Sequence, residues 1–361
     1  MKHYNQHRNY LILCAVITFF YLKNIEASVL LTDYTTLVNV GTYFEGPCLR
    51  GNKLVFADIS LRFPGPLTYP KPASVVYQYN VGNGNLKVIR SPSDEVTGTT
   101  LDEFNRIIMF EGANLGGRKV SRFDPATGLT ETVTWEFTDA NYDLVGKHFN
   151  SPNDGIVDFN STNKRILFTD PRYFGTENME LPLQSVYSVD PTTGISTRII
   201  TDAVKPNGIA LSPDATILYI GKSDNANYQL LTFYPTGPRQ DALLAYPYNP
   251  VTGTVGPVNV LVDLTANEPG VWIDGIRTGS NGNIYAAVSG SPLVPAGFRV
   301  YRPNGSLKAR FELPPNMIAS NLVLGKGQNK NFLFLTGANF TAFAFGQPSG
   351  LLMKINISSI L

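Results

Sequence analysis

The segment that decides the fold is residues 205–223, which read KPNGIALSPDATILYIGKS. A P-N-G turn precedes one apolar stretch, and an S-P-D turn precedes a second. In the second stretch, Ile217 and Tyr219 alternate with Leu218 and Ile220, as in a half-buried strand. The segment therefore predicts two short strands joined by a turn.

This order of turn, strand, turn and strand occurs six times along the chain. The other copies span residues 44–59, 99–113, 151–171, 272–290 and 320–339. A polar marker precedes the first strand of each copy, at steps of 47 to 67 residues: Glu45, Thr100, Asn153, Asn207, Asp274 and Asn321. Further hairpins lie between the copies, as in SVYSVDPTTGISTRII at residues 185–200.

Four short strands in each period of about 50 residues are typical of a β-propeller blade. The sequence therefore predicts an all-β fold, a six-bladed β-propeller with four-stranded blades. A tandem of β-sandwiches is the alternative, but it would not explain polar markers at this period. The longest step, between Asn207 and Asp274, holds Pro235, Pro238, Pro247 and Pro250 and predicts an inserted surface loop.

Composition agrees with this fold class and excludes several functions. The 361 residues are 43% hydrophobic and 16% charged, and the formal net charge is +1. A near-neutral chain is not expected to bind nucleic acid through a basic surface. The apolar fraction is too high for a disordered chain. The 32 glycines and 25 prolines fit a protein rich in turns.

The N terminus has the pattern of a secretory signal peptide. Lys2 and Arg8 precede an apolar run at residues 11–22, which is too short to span a membrane, and Ala27 follows. We expect residues 1–27 to be a signal peptide and residues 28–361 to form the propeller domain. An uncleaved membrane anchor is the alternative.

The leader pattern predicts a secreted, extracellular protein without stable membrane association once the signal is removed. Four N-x-S/T sequons agree with secretion, at Asn160, Asn304, Asn339 and Asn356. Whether they carry glycans is not decided by the sequence.

Removal of the leader leaves one histidine, His148, and one cysteine, Cys48. A disulfide scaffold is therefore excluded, and a hydrolase with a Ser-His-Asp triad has a single candidate histidine and no G-x-S-x-G motif. We interpret Cys48 as a small packed residue, because no basic partner for a nucleophilic thiol is evident.

The polar markers provide a different chemistry. The innermost strands of a propeller surround one axis, so residues at matching positions form a ring. Glu45, Asn153, Asn207 and Asp274 would bring carboxylate and amide oxygens to that ring, and these are ligands suited to Ca²⁺, Mg²⁺ or Mn²⁺. Each N-D-G, P-N-G or I-D-G tripeptide alone also fits a simple turn. Their recurrence at matching positions favours a site.

Five motifs occur in order over nearly the whole chain after the leader: F-E-G-P at Phe44, N-S-P-N-D-G at Asn150, F-T-D-P-R-Y at Phe168, K-P-N-G-I-A-L-S-P-D at Lys205 and I-D-G-I-R at Ile273. Through these motifs the sequence resembles the senescence marker protein / gluconolactonase / luciferin-regenerating enzyme family, and its gluconolactonase-like branch in particular.

The resemblance implies one divalent cation in the central channel, Ca²⁺ first, with Mn²⁺, Mg²⁺ or Zn²⁺ as alternatives. It implies Glu45, Asn207 and Asp274 as metal ligands and Asn153 as a fourth ligand or a substrate contact. It also implies that Asp274 is the catalytic general base.

Three further residues are candidate substrate contacts because of where they stand in the third repeat. Asp170 and Tyr173 leave its inner strand, and His148 precedes the N-S-P-N-D motif. The alternatives are a buried Asp170 that accepts backbone N–H groups and a hydrogen-bonded surface His148.

The family implies a metal-dependent lactonase, a carboxylic ester hydrolase that opens a small-molecule lactone. The alternatives are a related ester or organophosphate hydrolase and a non-catalytic extracellular propeller that binds a ligand. Ser151 stands where some relatives place an arginine for a sugar acid, so activity on sugar lactones stays open. The sequence does not give the natural substrate, the preferred metal or the oligomeric state.

Overall fold

The computed structural model describes residues 29–30, 34–60, 74–113, 115–139, 143–173, 177–223, 240–290, 295–339, 341–342 and 347–361. These residues form six antiparallel sheets of four main strands, with almost no helix. The predicted six-bladed propeller with four-stranded blades is therefore confirmed. The predicted signal peptide, residues 1–27, lies outside the described residues.

The strands are numbered along the chain, and each blade starts with its innermost strand. The first two strands join later blades and are β1 (Val29–Leu30) and β2 (Tyr34–Val40). Blade 1 contains β3 (Phe44–Arg50), β4 (Lys53–Asp58), β5 (Val75–Asn80) and β6 (Leu86–Arg90). Blade 2 contains β7 (Val96–Leu101), β8 (Ile107–Glu111), β9 (Lys119–Phe123) and β10 (Thr130–Thr134). Blade 3 contains β11 (Gly155–Val157), β12 (Ile166–Asp170), β13 (Ser185–Val189) and β14 (Ser196–Ile200).

The second half of the chain repeats the arrangement. Blade 4 contains β15 (Pro206–Leu211), β16 (Ile217–Ser223), β17 (Asp241–Asn249), the short β18 (Thr254–Val255) and β19 (Asn259–Asp263). A one-turn helix, α1 (Leu264–Asn267), follows. Blade 5 contains β20 (Val271–Thr278), β21 (Ile284–Gly290), β22 (Gly297–Tyr301) and β23 (Leu307–Glu312), with β1 added in parallel to β23. Blade 6 contains β24 (Met317–Leu324), β25 (Phe332–Asn339), β26 (Gly350–Asn356) and β2, and a 3₁₀ turn spans Gly327–Asn329.

The ring closes through the N-terminal part of the chain. Strand β2 pairs antiparallel with β26, with Tyr34 opposite Ile355, and so supplies the outermost strand of blade 6. The innermost strands contact one another in the order β3, β7, β11, β15, β20, β24 and back to β3. Because four antiparallel strands return the chain to the face where it began, every innermost strand starts on the same face. We call this the entry face and the opposite one the far face.

The core is divided among the contacts between blades. Within the described residues, each pair of neighbouring blades shares an apolar cluster. Between blades 6 and 1, for example, Phe334 and Leu352 pack with Phe44 and Phe56, all without solvent exposure. Burial of each such side chain stabilises the folded protein by about 1.5–3 kcal/mol. The hydrophobic effect therefore holds neighbouring blades together as well as the strands within a blade.

The insertion predicted between Asn207 and Asp274 is partly wrong. Pro247 lies in strand β17, opposite Ile217, and its carbonyl accepts the N–H of Gly256 in the β17–β18 hairpin. A proline without an N–H is tolerated there because it stands near the end of a strand. Pro235 and Pro238 lie outside the described residues.

No helix in the described part of the chain is both long and apolar enough to cross a membrane.

Candidate active site

Each innermost strand interrupts its pairing near the entry face, next to a polar residue. Register shifts occur at Glu45/Cys48, Val96/Gly98, Pro206/Ile209, Ile273/Ile276 and Ala319/Asn321. In blade 3 the N–H of Asn153 and the carbonyl of Asp154 both bond to Thr169, so two residues face one. A β-bulge turns a side chain out of the regular alternation. The recurring markers are therefore bulges at one level of the ring.

Glycines after the bulged residues allow the neighbouring strands to approach. A Cβ atom built on Gly208 would lie 2.4 Å from the carbonyl oxygen of Asp274, and one on Gly275 would lie 2.1 Å from the side chain of Asn321. Real Cβ atoms do not come so close, so only glycine fits at these two positions. This close packing explains why N-G and D-G recur at the markers.

The marker predicted for the second repeat, Thr100, is wrong. Its bulge falls between Val96 and Gly98, which puts Thr97 in the position before the glycine, whereas Thr100 pairs regularly with Ile108. The hydroxyl of Thr97 donates to the carbonyl of Asn153, at 2.9 Å. Thr97 therefore links blade 2 to blade 3, and Thr100 lies further down the strand.

Three of the predicted metal ligands meet at the axis. Glu45, Asn207 and Asp274 belong to blades 1, 4 and 5 and are 9%, 5% and 7% exposed. The side chain of Asn207 is hydrogen-bonded to the carboxyl group of Asp274, and the charges of Glu45 and Asp274 act on each other. The ring thus brings together groups that are up to 229 residues apart in the chain.

Burial dominates the electrostatics of this cluster. It raises the pKa of Glu45 well above its usual range, and the nearby negative charges of Asp274 and Asp154 raise it further. The pKa of Asp274 is raised well above its usual range by burial and by Asp154, while the hydrogen bond from Asn207 opposes the rise. A raised carboxyl pKa reports negative charge in a place that water does not screen. Such a place favours a bound cation.

Asp154, which the sequence analysis did not select, is the most buried acid of the cluster. It is 1% exposed, and its Oδ2 accepts hydrogen bonds from Arg277 Nη1 at 3.0 Å and from Asn321 Nδ2 at 3.2 Å. These partners come from blades 5 and 6. The motif N-D-G contains two adjacent polar residues, and the sequence favoured the first, Asn153. The arginine of I-D-G-I-R was the signal that could have identified the partner.

Asn153 lies beside Asp154 at the start of blade 3 and is partly exposed. Its backbone N–H donates to Thr169, and its carbonyl accepts from Thr97. These bonds hold Asn153 at the level of the other markers. Its role as a fourth ligand or substrate contact stays a prediction.

The candidate substrate contact Asp170 supports the loop that carries the N-S-P-N-D motif. Its carboxylate accepts the N–H groups of Asn150, at 2.8 Å, and of Ser151, at 2.6 Å. Burial raises the pKa of Asp170 to about 7, against the opposing effect of these two bonds and of the Arg172 charge. The structure thus gives Asp170 the backbone partners that the sequence analysis weighed as its alternative.

Two arginines strengthen the same support. Arg118 Nε donates to the carbonyl of Phe149, and Arg172 Nη2 donates to that of Asn150, each at 2.7 Å. The Arg172 side chain is fully buried. The backbone just before Asn153 is therefore held by cations from blades 2 and 3.

The other two candidate substrate contacts also have protein partners. The hydroxyl of Tyr173 donates to the carbonyl of Lys205, at 2.9 Å, and joins blade 3 to blade 4. His148 Nδ1 lies 2.9 Å from the carboxylate of Glu180, and its ring contacts Trp135. Neither observation tests substrate contact, which stays a prediction for both residues.

Cys48 behaves as a packed residue. It belongs to the apolar cluster between blades 1 and 2, and burial raises its thiol pKa to about 11. A thiol that stays protonated at neutral pH is a poor nucleophile.

The donor set fits a hard divalent cation. Two buried carboxylates and the amides of Asn207 and Asn153 could supply oxygen ligands, the type preferred by Ca²⁺ and Mg²⁺. Within the described residues, no group of three or more Asp, Glu, His or Cys side chains is placed to hold one ion. Amide oxygens would therefore have to complete the coordination started by Glu45 and Asp274.

The chain is similar to a known protein family and to a characterised relative. The model of the SMP-30/Gluconolactonase/LRE-like region matches residues 72–339. A gluconolactonase of Zymomonas mobilis is 29% identical over 236 residues, which covers 63% of this chain and 57% of that protein. The chain therefore spans little more than half the length of this relative.

Solved structures show the same fold. A gluconolactonase of Xanthomonas campestris superimposes with a TM-score of 0.66 at 23% identity, over 90% of this chain and 89% of that one. A calcium-binding regucalcin of Agrobacterium tumefaciens does so with a TM-score of 0.64 at 18% identity, over 91% of this chain and 95% of that one. With the family model covering most of the sequence, the chain belongs to the SMP-30/gluconolactonase/LRE-like family.

Proposed function

We propose that the protein is a secreted, divalent-cation-dependent hydrolase that opens a small-molecule lactone. The observation that carries the proposal is the meeting of Glu45, Asn207 and Asp274 at the axis, buried and with raised carboxyl pKa values. The relationship to a gluconolactonase supports lactone hydrolysis, and the calcium-binding structural neighbour supports a cation in the channel.

The residues of this chain suggest how the reaction proceeds. When bound, a divalent cation supplies a Lewis acid that polarises the lactone carbonyl and stabilises the developing oxyanion. Asp274, as a carboxylate, accepts a proton from the attacking water. The hydrogen bond from Asn207 orients the Asp274 carboxyl group. The water oxygen bonds to the carbonyl carbon, the ring C–O bond breaks, and the alkoxide takes up a proton to give the hydroxy acid.

Ser151 bears on the class of lactone. Its hydroxyl accepts the N–H of Ala113, at 2.9 Å, so it takes part in holding the loop to blade 2. A serine in this position provides no positive charge for a sugar acid. We therefore expect activity on uncharged lactones without sugar hydroxyl groups to match or exceed activity on gluconolactone.

The decisive assay follows acid release in a pH-stat with a panel of aliphatic and sugar lactones, after addition of Ca²⁺, Mn²⁺ or Zn²⁺. We expect Asp274→Ala to reduce cation-dependent turnover by at least about 10²-fold, the usual contribution of a general base. Asp214→Ala is the matched control, because Asp214 lies in an exposed turn and bonds to Ser212. Cation binding without hydrolysis of any lactone or ester would instead support a non-catalytic binding propeller.

Secretion belongs to the same proposal. It is supported by the leader pattern at residues 1–27 and by the exposed positions of Asn160 and Asn304 in turns and of Asn356 at the end of β26. Expression with the native N terminus in a eukaryotic secretory cell tests it. We expect the protein in the medium with residues 1–27 removed, and retention of the full chain in the cell would contradict secretion.

A further inference from the structure

The inference concerns Asp154, a third carboxylate next to the two that are proposed to hold a cation, and it rests on the proposed function. The charge of Asp154 acts on both Glu45 and Asp274. Asp154 therefore lies close enough for its charge to influence the site, while its own oxygens bond to other groups of the protein.

The oxygens of Asp154 are already occupied by donors of the protein. Oδ2 accepts from Arg277 Nη1 at 3.0 Å and from Asn321 Nδ2 at 3.2 Å. Oδ1 accepts from the N–H of Gly155 at 2.9 Å and from Arg277 Nη2 at 3.4 Å. Arg277 also donates to the carbonyl of Ile276 at 2.7 Å, which fixes its guanidinium. The geometry is that of a built, two-point ion pair rather than a chance surface contact.

Such a pair is weak evidence for stability alone. Desolvation of two charges offsets most of their attraction, and apolar replacements of buried ion pairs are often neutral or stabilising. Blades 3 and 5 are already joined through blade 4 and its apolar clusters. An electrostatic effect on the adjacent carboxylates, Glu45 and Asp274, explains the Asp154–Arg277 pair better than a contribution to stability does.

When a bound cation keeps all three carboxylates ionised, they and one guanidinium leave two negative charges in the cluster. Lys205, two residues before Asn207, lies over the ring of Tyr173, with its ammonium 5.9 Å from the ring centroid. Arg118 and Arg172 act on Asp170. Arg277 instead contacts one of the three axial carboxylates directly, that of Asp154, at 3.0 Å.

We propose that the Asp154–Arg277 pair sets the charge of the axial cluster so that it favours divalent over trivalent cations. Arg277 cancels one of three negative charges, and Asp154 keeps Arg277 from cancelling the charge of the ligands themselves. Removal of Arg277 would leave three negative charges, which favour a trivalent ion. Removal of Asp154 would leave one negative charge in the cluster, and this lower charge would weaken the binding of any multivalent ion.

The test is calorimetric titration of the purified protein with Ca²⁺ and, separately, with Tb³⁺. An extra unit charge near the site is expected to change the ratio of Tb³⁺ to Ca²⁺ affinity by about tenfold. We expect the ratio to rise about tenfold in Arg277→Gln and to fall about tenfold in Asp154→Asn. The double variant keeps the net charge and is expected to return to within about threefold of the wild-type ratio.

Two controls separate charge from folding. Arg277→Lys keeps the charge but loses the two-point geometry, so its ratio is expected to stay near that of the wild type. Arg299→Gln breaks a buried pair with Glu268 in blade 5, at 2.8 Å, and is expected to lower the melting temperature without changing the ratio. If Arg277→Gln alone does not fold, the two remaining variants still differ in expectation, because the ratio should fall in Asp154→Asn and stay near that of the wild type in the double variant.

The outcomes distinguish this inference from the proposed function. A wild-type protein that binds neither ion overturns the cation-dependent function and this inference with it. A wild-type protein that binds Ca²⁺, with ratios that stay constant in folded Arg277→Gln and Asp154→Asn, overturns only the role of the pair.

Discussion

The hydroxyl of Ser320 donates a hydrogen bond of 2.5 Å to the carbonyl of Phe44, 276 residues away. Ser320 belongs to the innermost strand of blade 6 and Phe44 to that of blade 1. The bond therefore joins the last blade to the first beside Glu45, whose carboxyl group also bonds to Ser320. Closure of the ring and placement of a candidate ligand depend on the same side chain.

Replacement of Ser320 is expected to weaken the closure. Ser320→Ala leaves the buried Phe44 carbonyl without this donor, so we expect a loss of about 1–3 kcal/mol in the free energy of unfolding. Urea denaturation measures it. Thr192→Ala, on an exposed turn, is the control and is expected to change stability by less than about 0.5 kcal/mol. Equal stability of both variants would show that the Ser320 bond contributes nothing to closure.

Cation binding is expected to stabilise the folded protein. A ligand that binds only the folded state at 100 times its Kd adds about 2.7 kcal/mol. Saturating Ca²⁺ should therefore raise the melting temperature above that in a chelator. Because Glu45 is a proposed ligand, Glu45→Gln should lose most of this rise. Asp214→Asn, in an exposed turn on the far face, should keep it, and a rise preserved in Glu45→Gln would remove Glu45 from the ligand set.

The buried Asp170 predicts a pH dependence of stability. Its pKa is raised from 3.8 to about 7 in the folded protein, so the folded state binds its proton more tightly than the unfolded state. The stability it contributes is fully present below about pH 4 and is lost as the pH rises towards 7. A shift of this size corresponds to about 4 kcal/mol.

The measurement is urea denaturation between pH 4 and pH 8 for the wild type and Asp170→Asn. The variant does not titrate at this position, so the difference in unfolding free energy between the two proteins should change across the interval. A constant difference at every pH would mean that Asp170 titrates at its ordinary pKa when folded.

Three of the four sequons lie on the far face. Asn160 follows the first strand of blade 3, Asn304 lies between the third and fourth strands of blade 5, and Asn356 ends the third strand of blade 6. All three are exposed, whereas Asn339 ends a second strand and lies on the entry face, only partly exposed. If the protein is secreted as proposed, glycans should occupy the face away from the candidate site.

Peptide mass spectrometry after enzymatic deglycosylation in heavy-oxygen water measures occupancy at each sequon. We expect higher occupancy at Asn160, Asn304 and Asn356 than at Asn339. Thr162→Ala removes the first sequon and should eliminate only that glycan. Occupancy restricted to Asn339 would contradict the assignment of faces.

Much of the fold could be predicted because its signals are local. The alternation around Ile217 identifies a strand, and the N-G and D-G pairs at Asn207 and Asp274 identify the point where each innermost strand bulges. Six copies at a steady spacing then predict six blades. The family resemblance then implied Glu45, Asn207 and Asp274 as ligands, and the structure brings these three residues together.

The sequence misplaced one marker and left one partner unidentified where neighbouring polar residues compete for one position. Thr97 and Thr100 are both polar and close to an apolar strand, and only the register against β8 shows that the bulge lies at Thr97. Asn153 and Asp154 are adjacent, and only contacts with distant blades show that Asp154 has partners across the axis.

Local periodicity and glycine placement, which act within a few residues, were enough to define many of the strands, the number of blades and all of the polar markers except Thr100. The pairing of Asp154 with Arg277, 123 residues along the chain, required the closed ring. So did the use of β2 as the outer strand of blade 6 and the engagement of Asp170 by backbone N–H groups. Bulge register, burial and the distance across the axis depend on all six blades at once, and no short stretch of residues encodes them.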